Sequence, residues 1–558
     1  MKLGLFKGED TPSIKAVWDF YQRGQRYNDQ IDLDASVQCN ENFYVSKQWE
    51  GVKANGNVTP VFNFIKRIVM FDVAHIAADN LKVNATSMDL AEDDELLHAV
   101  DVINAEFHRL MEQNDIPYLQ KQFARNAAVD KDGCLYTYYD ADAEVAPDVK
   151  GTMRTEVLDN TDVFFGNPMD NAVSRQPYIL IRSLLPTREV MIRAKNNEVE
   201  NWEDIKPDNE YMDVVDQAKI CDDMTTLLLC LWKNAETGTI WAYECTKDCE
   251  VKEAWDLKIA DYPIVWLNWD YVKNCYHGTS LVDGILNNQI FVNRAWASSM
   301  TSINRTAFPK FAIDGTRIAS LDNRVGGVVK VQGDPTNAIK AVDTGHIDPQ
   351  VAQYLQMAVE ETEKCLGATS VALGDTRPDN TSAIIALQRA ASTPLELTKQ
   401  NLRKAIEDLF RIYLDFMSVY YGKREVTVGM PEKAMQAYQF VGMEAPKLTR
   451  QLFDFDTLRQ HSYRVKLDVG ETGIYSESNT ITTLNNLFQM GAINAVQLLR
   501  RMPKGHIPDV EGLIQELEMA SQMAPAAAPE EEQTVDEMAV PNTGGGYGAL
   551  QRKLNEGV

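Results

Sequence analysis

Long apolar runs, a phosphate-binding glycine loop and an excess of positive charge are all missing from this sequence, and each absence removes a class of function. The longest apolar stretches, Thr225 to Trp232 and Ile65 to Ala78, are too short or are broken by Asp72, so no membrane span is expected where about 20 apolar residues would be needed. The opening segment, Met1 to Asp10, is too poor in apolar residues for a secretory leader. No GxxxxGK followed by Ser or Thr occurs, because Gly422-Lys423 has no glycine at the required distance before it; the phosphate cradle of an ATP-driven motor is not expected. No HExxH is present, and Gly278-Thr-Ser280 departs from the nucleophile-elbow pattern at Val282. The eight cysteines, at 39, 134, 221, 230, 245, 249, 275 and 365, are scattered, which suits reduced thiols better than a disulfide framework. Cys245 and Cys249 have no second close pair to complete a zinc site.

Basic residues number 55 against 81 acidic ones, for a formal net charge of −26. A chain that grips nucleic acid ordinarily carries the opposite sign. The imbalance therefore argues against tight DNA binding, though not against DNA passing close by. Of the 558 residues, 44% are hydrophobic and 24% charged, an ordinary balance for a folded chain large enough for several domains.

Hydrophobic spacing predicts a helix over about 12–35, a turn-rich stretch at 40–49, a helix opened by Pro60 and another near 92–111. From about 133 to 270 short apolar runs between Gly, Pro, Asn and Asp read as strands, among them 135–139, 162–165, 178–181 and 263–267. A long helix follows over 279–306, with Ser280 and Asp283 as its cap and Leu281, Val282, Ile285, Leu286, Val292, Trp296, Met300 and Ile303 near one face. Asp283, Arg294 and Arg305 are its only charges, so a rod of about 42 Å must pack along its whole length, and neighbouring copies would serve. A β-like insert with strands at 311–313 and 327–331 comes next, then a helix started by Asp348-Pro349 and ending near Gly367. Residues 372–381 read as an exposed polar loop. A helix over 382–421 carries Pro394, where a kink is expected. Beyond Gly422 two strands are predicted, the better at 463–469, then short helices at 478–490, 494–501 and 509–522, and a tail from about 524 with little to bury.

Two acid pairs have spacings that could serve metal chemistry. Asp140-Ala-Asp142 could open a calcium loop, but Val145 stands where glycine belongs and Gly151 where the closing Glu belongs. Asp454-Phe-Asp456 could hold a divalent ion as nucleases do. In so acidic a chain such pairs arise by chance, so no catalytic residue, metal or cofactor is expected.

The succession of helix 279–306, β insert, helix 349–366, polar loop and long kinked helix resembles the core of the portal proteins of tailed bacteriophages. So do Phe43-Tyr44 and Gln48-Trp49 followed by Pro60, Asn63 and Ile68-Val69. Gly278-Thr-Ser280 with Gln289, Asn293 and Arg294 and the exit Pro309-Lys310, Leu373-Gly374 before Ser382-Ala383, and Gly491-Ala-Ile493 add to it. The resemblance implies an α+β, portal-like fold and a non-enzymatic ring, a dodecamer by family analogy, at one capsid vertex of the virion. Assembly would take place in the host cytoplasm. The implied parts are an N-terminal wing (1–277), first stem helix (278–308), clip (309–347), second stem helix (348–371), tunnel loop (372–381), further wing (382–475), crown (476–523) and disordered tail (524–558). Double-stranded DNA would pass through the channel. The implied partners are the terminase large subunit, a head-tail adaptor, and the major capsid and scaffolding proteins. Asp375, Thr376, Arg377, Asp379 and Asn380 would meet DNA in the tunnel loop, Glu360, Glu361 and Glu363 would line the channel, and Asn323, Arg324 and Lys330 would dock partners at the clip. Another phage head-tail ring protein, or a metal-dependent nucleic-acid enzyme using Asp454 and Asp456, are the alternatives.

Overall fold

The computed structural model describes residues 12–53, 58–77, 80–88, 94–146, 149–212, 219–307, 311–318, 329–336, 338–341, 350–365, 393, 395–429, 448–470, 481, 484–490, 493–502 and 512–514. The chain divides into two compact units, Met1–Thr472 and Gly473–Val558. Helices and strands are mixed throughout the first, as an α+β reading requires.

Its N-terminal part is helical. One helix was expected over 12–35; there are two, α1 (Ile14–Gln30) and α2 (Leu33–Tyr44), joined at Asp32 in the left-handed region with φ 51°. The second runs through Asn40 to Tyr44, where turns were expected. Pro60 does not open the next helix either. Helix α3 (Phe64–Ile76) starts at its cap Asn63, whose side chain accepts from Lys66 N at 2.9 Å and donates to the carbonyls of Phe43 and Tyr44. The Trp49 indole N–H donates to the Pro60 carbonyl at 2.9 Å. Those bonds hold residues 60–63 outside the helix, so proline's tolerance at a first turn is never used. Helix α4 (Asp94–Gln113) lies where expected, and α5 (Ile116–Asp130) adds a helix the sequence reading missed.

The strands follow, all antiparallel. β2 (Asp132–Ala146) pairs with β3 (Val149–Leu158) and β10 (Ile264–Asn268). A larger sheet runs β4 (Val163–Phe165), β5 (Tyr178–Pro186), β7 (Lys219–Lys233), β8 (Ile240–Cys245), β9 (Glu250–Asp256), with β6 (Asn209–Met212) also on β7. Helix α6 (Thr187–Asn196) interrupts this strand-rich stretch. β1 (Asn80–Ser87), also unforeseen, pairs in register with β15 (Tyr463–Gly470), far away in sequence.

Three longer helices carry the middle of the chain: α7 (Leu281–Ala307), α8 (Gln350–Cys365) and α9 (Leu395–Tyr420). Between the first two, β11 (Phe311–Ile313) pairs with β12 (Ile339–Ala341). The strand expected at 327–331 is not the partner; its described part, 329–331, is irregular. The cap Asp348-Pro349 and the kink at Pro394 lie outside the described residues. Helix α9 buries Leu402, Ala405, Ile406, Leu409, Ile412, Tyr413 and Phe416, which recur at helical spacing along one face, with Tyr420 half-buried beyond them. It ends before Gly422 at φ 53°, a conformation glycine tolerates. β13 (Lys423–Gly429) and β14 (Leu448–Asp454) then pair antiparallel, so among the described residues three strands follow Gly422 where two were expected. Phe107 of α4 meets Phe410 of α9 edge to face at 5.0 Å in the main core, which also takes in α3, α5 and the start of α7.

In the second unit, residues 484–489 are helical, and α10 (Ala495–Arg501) begins with a reciprocal capping box between Asn494 and Gln497. Residues 524–558 lie outside the described residues.

Candidate functional site

The root of helix α7 is fixed by buried polar side chains. Ser280 and Asp283 cap it reciprocally: Asp283 N donates to Ser280 Oγ at 2.9 Å and Ser280 N to Asp283 Oδ2 at 3.2 Å, a motif worth about 1 kcal/mol. Asn40 of α2 reaches the same cap, its amide donating at 3.0 Å to Val129 O, Ser280 Oγ and Asp283 Oδ1. One turn earlier, Asp132 at the start of β2 is fully buried. It accepts from Asn268 Nδ2 at 2.7 Å, Gly278 N at 2.8 Å and His277 Nδ1 at 2.6 Å. Gly278 must be glycine here, since a Cβ would sit 2.5 Å from the Asp270 carbonyl.

Two turns into α7, Gln289 is 0% exposed and Asn293 is 3% exposed. Gln289 Oε1 accepts from Phe64 N at 3.2 Å and from Ile65 N at 3.4 Å, the latter an N–H that the first turn of α3 leaves open, while its Nε2 donates to Phe62 O at 2.7 Å. Asn293 Nδ2 donates to Gln48 Oε1 at 2.5 Å. An i, i+4 amide pair on the apolar face of α7 is thus a clamp on α3. Helix α8 joins by Asn288 Nδ2 donating to Thr362 Oγ1 at 2.9 Å, and Arg67 of α3 lies 3.8 Å from Glu363.

Outward from this root the burial of α7 lessens. Leu281, Val282, Ile285 and Val292 are buried, but Phe291 is 52% and Ile303 51% exposed; on α8, Tyr354 is 62% and Met357 52% exposed. Along the face predicted from spacing, cover from this chain thins from buried Val292 through half-buried Trp296 and Met300 to exposed Ile303.

A family model described as phage P22-like portal protein matches residues 32–543. The chain belongs to the phage portal family. Portals are structural, non-enzymatic proteins, and the match takes in both the clamp and the exposed rods. No curated protein matches the chain.

The portal's sequence-expected site residues fall in three groups. Asp375, Thr376, Arg377, Asp379 and Asn380, with Asn323 and Arg324, lie outside the described residues. Lys330 is exposed on irregular chain. Glu360 and Glu361 are exposed on α8, Glu360 accepting from Gln356 at 2.7 Å, whereas Glu363 is 9% exposed and turned onto Arg67. Asp454 accepts from Asp456 N at 3.2 Å and faces Lys423 at 3.7 Å, so it caps a turn. Among the described residues no group of three or more His, Cys, Asp or Glu is placed to hold a metal, and no helix is long and apolar enough to cross a membrane. Cys134, Cys230 and Cys245 are fully buried, which pushes their thiols up and leaves them protonated packing groups.

Sequence reasoning missed Asn40, Asp132 and His277 as parts of the root. Gln289 and Asn293 were legible as resemblance, and their spacing on an otherwise apolar stripe was the physical signal that they are buried and bonded.

Proposed function

We propose that this portal closes into a ring at one capsid vertex, through which double-stranded DNA is packaged and later ejected. The observation that carries the reading is the set of large apolar side chains that α7 and α8 leave exposed. Phe291, Ile303, Tyr354 and Met357 stand exposed on paired helices in a single subunit. Large apolar side chains left exposed on packed helices suit protein–protein contact, and copies arranged head to tail around an axis would cover them while closing the ring. A dodecamer is the family expectation for that ring.

DNA carries about one negative charge per 1.7 Å of axis. Glu360 and Glu361, exposed on α8, are the candidates to face it and discourage a static grip, within a screening distance of about 8 Å. Glu363 is engaged by Arg67 and belongs to the subunit's own packing. The loop bearing Asp375, Thr376, Arg377, Asp379 and Asn380 is the proposed DNA contact, and Asn323, Arg324 and Lys330 the proposed clip surface for the terminase large subunit and then the head-tail adaptor. Capsid and scaffolding proteins would meet the ring's periphery, with assembly in the host cytoplasm before the ring becomes part of the virion.

Deleting residues 372–381 tests the channel role. Rings should form and DNA filling or retention should drop; normal genome filling by the deletion mutant would refute the assignment.

A further inference from the structure

Asp72 has no part in the root described above, yet it sits in the helix that holds the root together. It is 0% exposed, and neither carboxylate oxygen has a hydrogen-bond partner. Its neighbours one turn away on the same face, Ile68 and Ile76, are fully buried apolar residues. A lone ionised carboxylate in such surroundings is costly, and the group neutralises instead.

Helix α3 packs against α2, α5, α7 and α9. Its first turn is clamped by Gln289 of the first stem helix, and its Arg67 reaches Glu363 of the second. One helix thus touches both stem helices and the long helix that follows them. We propose that Asp72 is the ionisable pin of this joint: as a neutral acid it keeps α3 closed on the stem helices, and loss of its proton loosens the grip on their roots.

The elements around α3 carry Asp34 and Glu41 on α2, Lys121, Arg125 and Asp130 on α5, Asp283, Arg294 and Arg305 on α7, and Glu396, Lys399, Arg403, Lys404, Glu407, Asp408, Arg411 and Asp415 on α9. Arg125 is engaged by Glu41 and Asp130, and Asp283 by the α7 cap. On α3 itself Lys66 lies over the Tyr44 ring, Arg67 points to Glu363 and His75 stacks near Phe71. Among the described residues none of these sets the protonation of Asp72; burial alone does, pushing it up to about 7.

The sign follows. The buried carboxyl holds its proton more tightly than an opened one, whose ordinary value is 3.8. The closed joint is therefore favoured most at low pH and loses that advantage progressively as pH rises towards about 7, beyond which the loss levels off. Between about pH 6 and pH 8 the opening equilibrium of α3 should increase about tenfold.

Hydrogen–deuterium exchange on the full-length chain, corrected for the intrinsic pH dependence of exchange, reads this directly. Peptides covering 64–76, and with them the start of α7, should exchange about tenfold faster at the higher pH. Asp72→Asn, which keeps the shape and cannot ionise, should abolish the difference; Asp72→Leu is the second non-ionising variant should the amide fold poorly. A wild-type chain with no added opening, or a variant keeping the full pH response, would overturn the assignment. The signal arises within each subunit, so its absence would leave ring closure untouched.

Discussion

Replacing Gln289 with alanine tests the clamp between α7 and α3. The side chain is fully buried and makes four contacts: two backbone N–H groups of α3 donate to it, and it donates to Phe62 O and to Asn293 Oδ1 at 3.0 Å. Phe64 N keeps an alternative acceptor in Phe62 O at 2.9 Å, so the lasting orphans are Ile65 N and part of the Asn293 amide. Each buried polar group left without a partner costs about 1–3 kcal/mol, and the vacated volume adds to that. A loss of about 3–4 kcal/mol in the stability of the Met1–Thr472 unit is expected. Denaturant unfolding of Gln289→Ala measures it, with exposed Asn287→Ala as a control that should stay within about 0.5 kcal/mol. Combining Gln289→Ala with Asn293→Ala should be non-additive by more than about 0.5 kcal/mol, because the two amides share a bond. A Gln289→Ala cost indistinguishable from the control would refute the clamp.

Other consequences follow from the same structure. Ile303→Glu with Met357→Glu should leave the subunit folded by circular dichroism while abolishing higher oligomers in size-exclusion chromatography with light scattering; oligomers of unchanged size would count against the proposed interface. Gly278→Ala should cost several kcal/mol, because its Cβ has no room beside the Asp270 carbonyl, and soluble yield with unfolding midpoint will show it. Asp454→Asn keeps a side-chain acceptor at the turn cap, so stability should change by less than about 1 kcal/mol. Adding magnesium should not shift the melting temperature of either form; a metal-dependent shift lost in the variant would revive the enzyme alternative.

Much of the helical core could be read from spacing. The buried stripe of α9 and the start of α7 obey a 3.6-residue repeat, and Ser280 with Asp283 form the cap their types suggest. What escaped was decided by distant partners. β1 is Asn-Leu-Lys-Val-Asn-Ala-Thr-Ser, a weak strand by composition, and exists because β15 pairs with it along its whole length. Helix α5 packs through small residues, Ala124, Ala127 and Ala128, which leave a faint apolar signal. Pro60 misled because Trp49 and Asn63 hold the chain extended before α3 begins. The root network was hidden for the same reason: Asn40, Asp132 and His277 are ordinary polar residues until three separate segments bring them to one helix terminus. The far end of α7 reads as core, yet Trp296 and Met300 are only half-buried and Ile303 is exposed, since further cover is expected from outside the chain.

Electron microscopy of the purified full-length chain bears most directly on the central claim. Closed rings with a central opening, in which the outer halves of α7 and α8 meet those of neighbouring subunits, are predicted. A population of single subunits at assembly concentrations, with Phe291, Ile303, Tyr354 and Met357 still open to solvent, would contradict it.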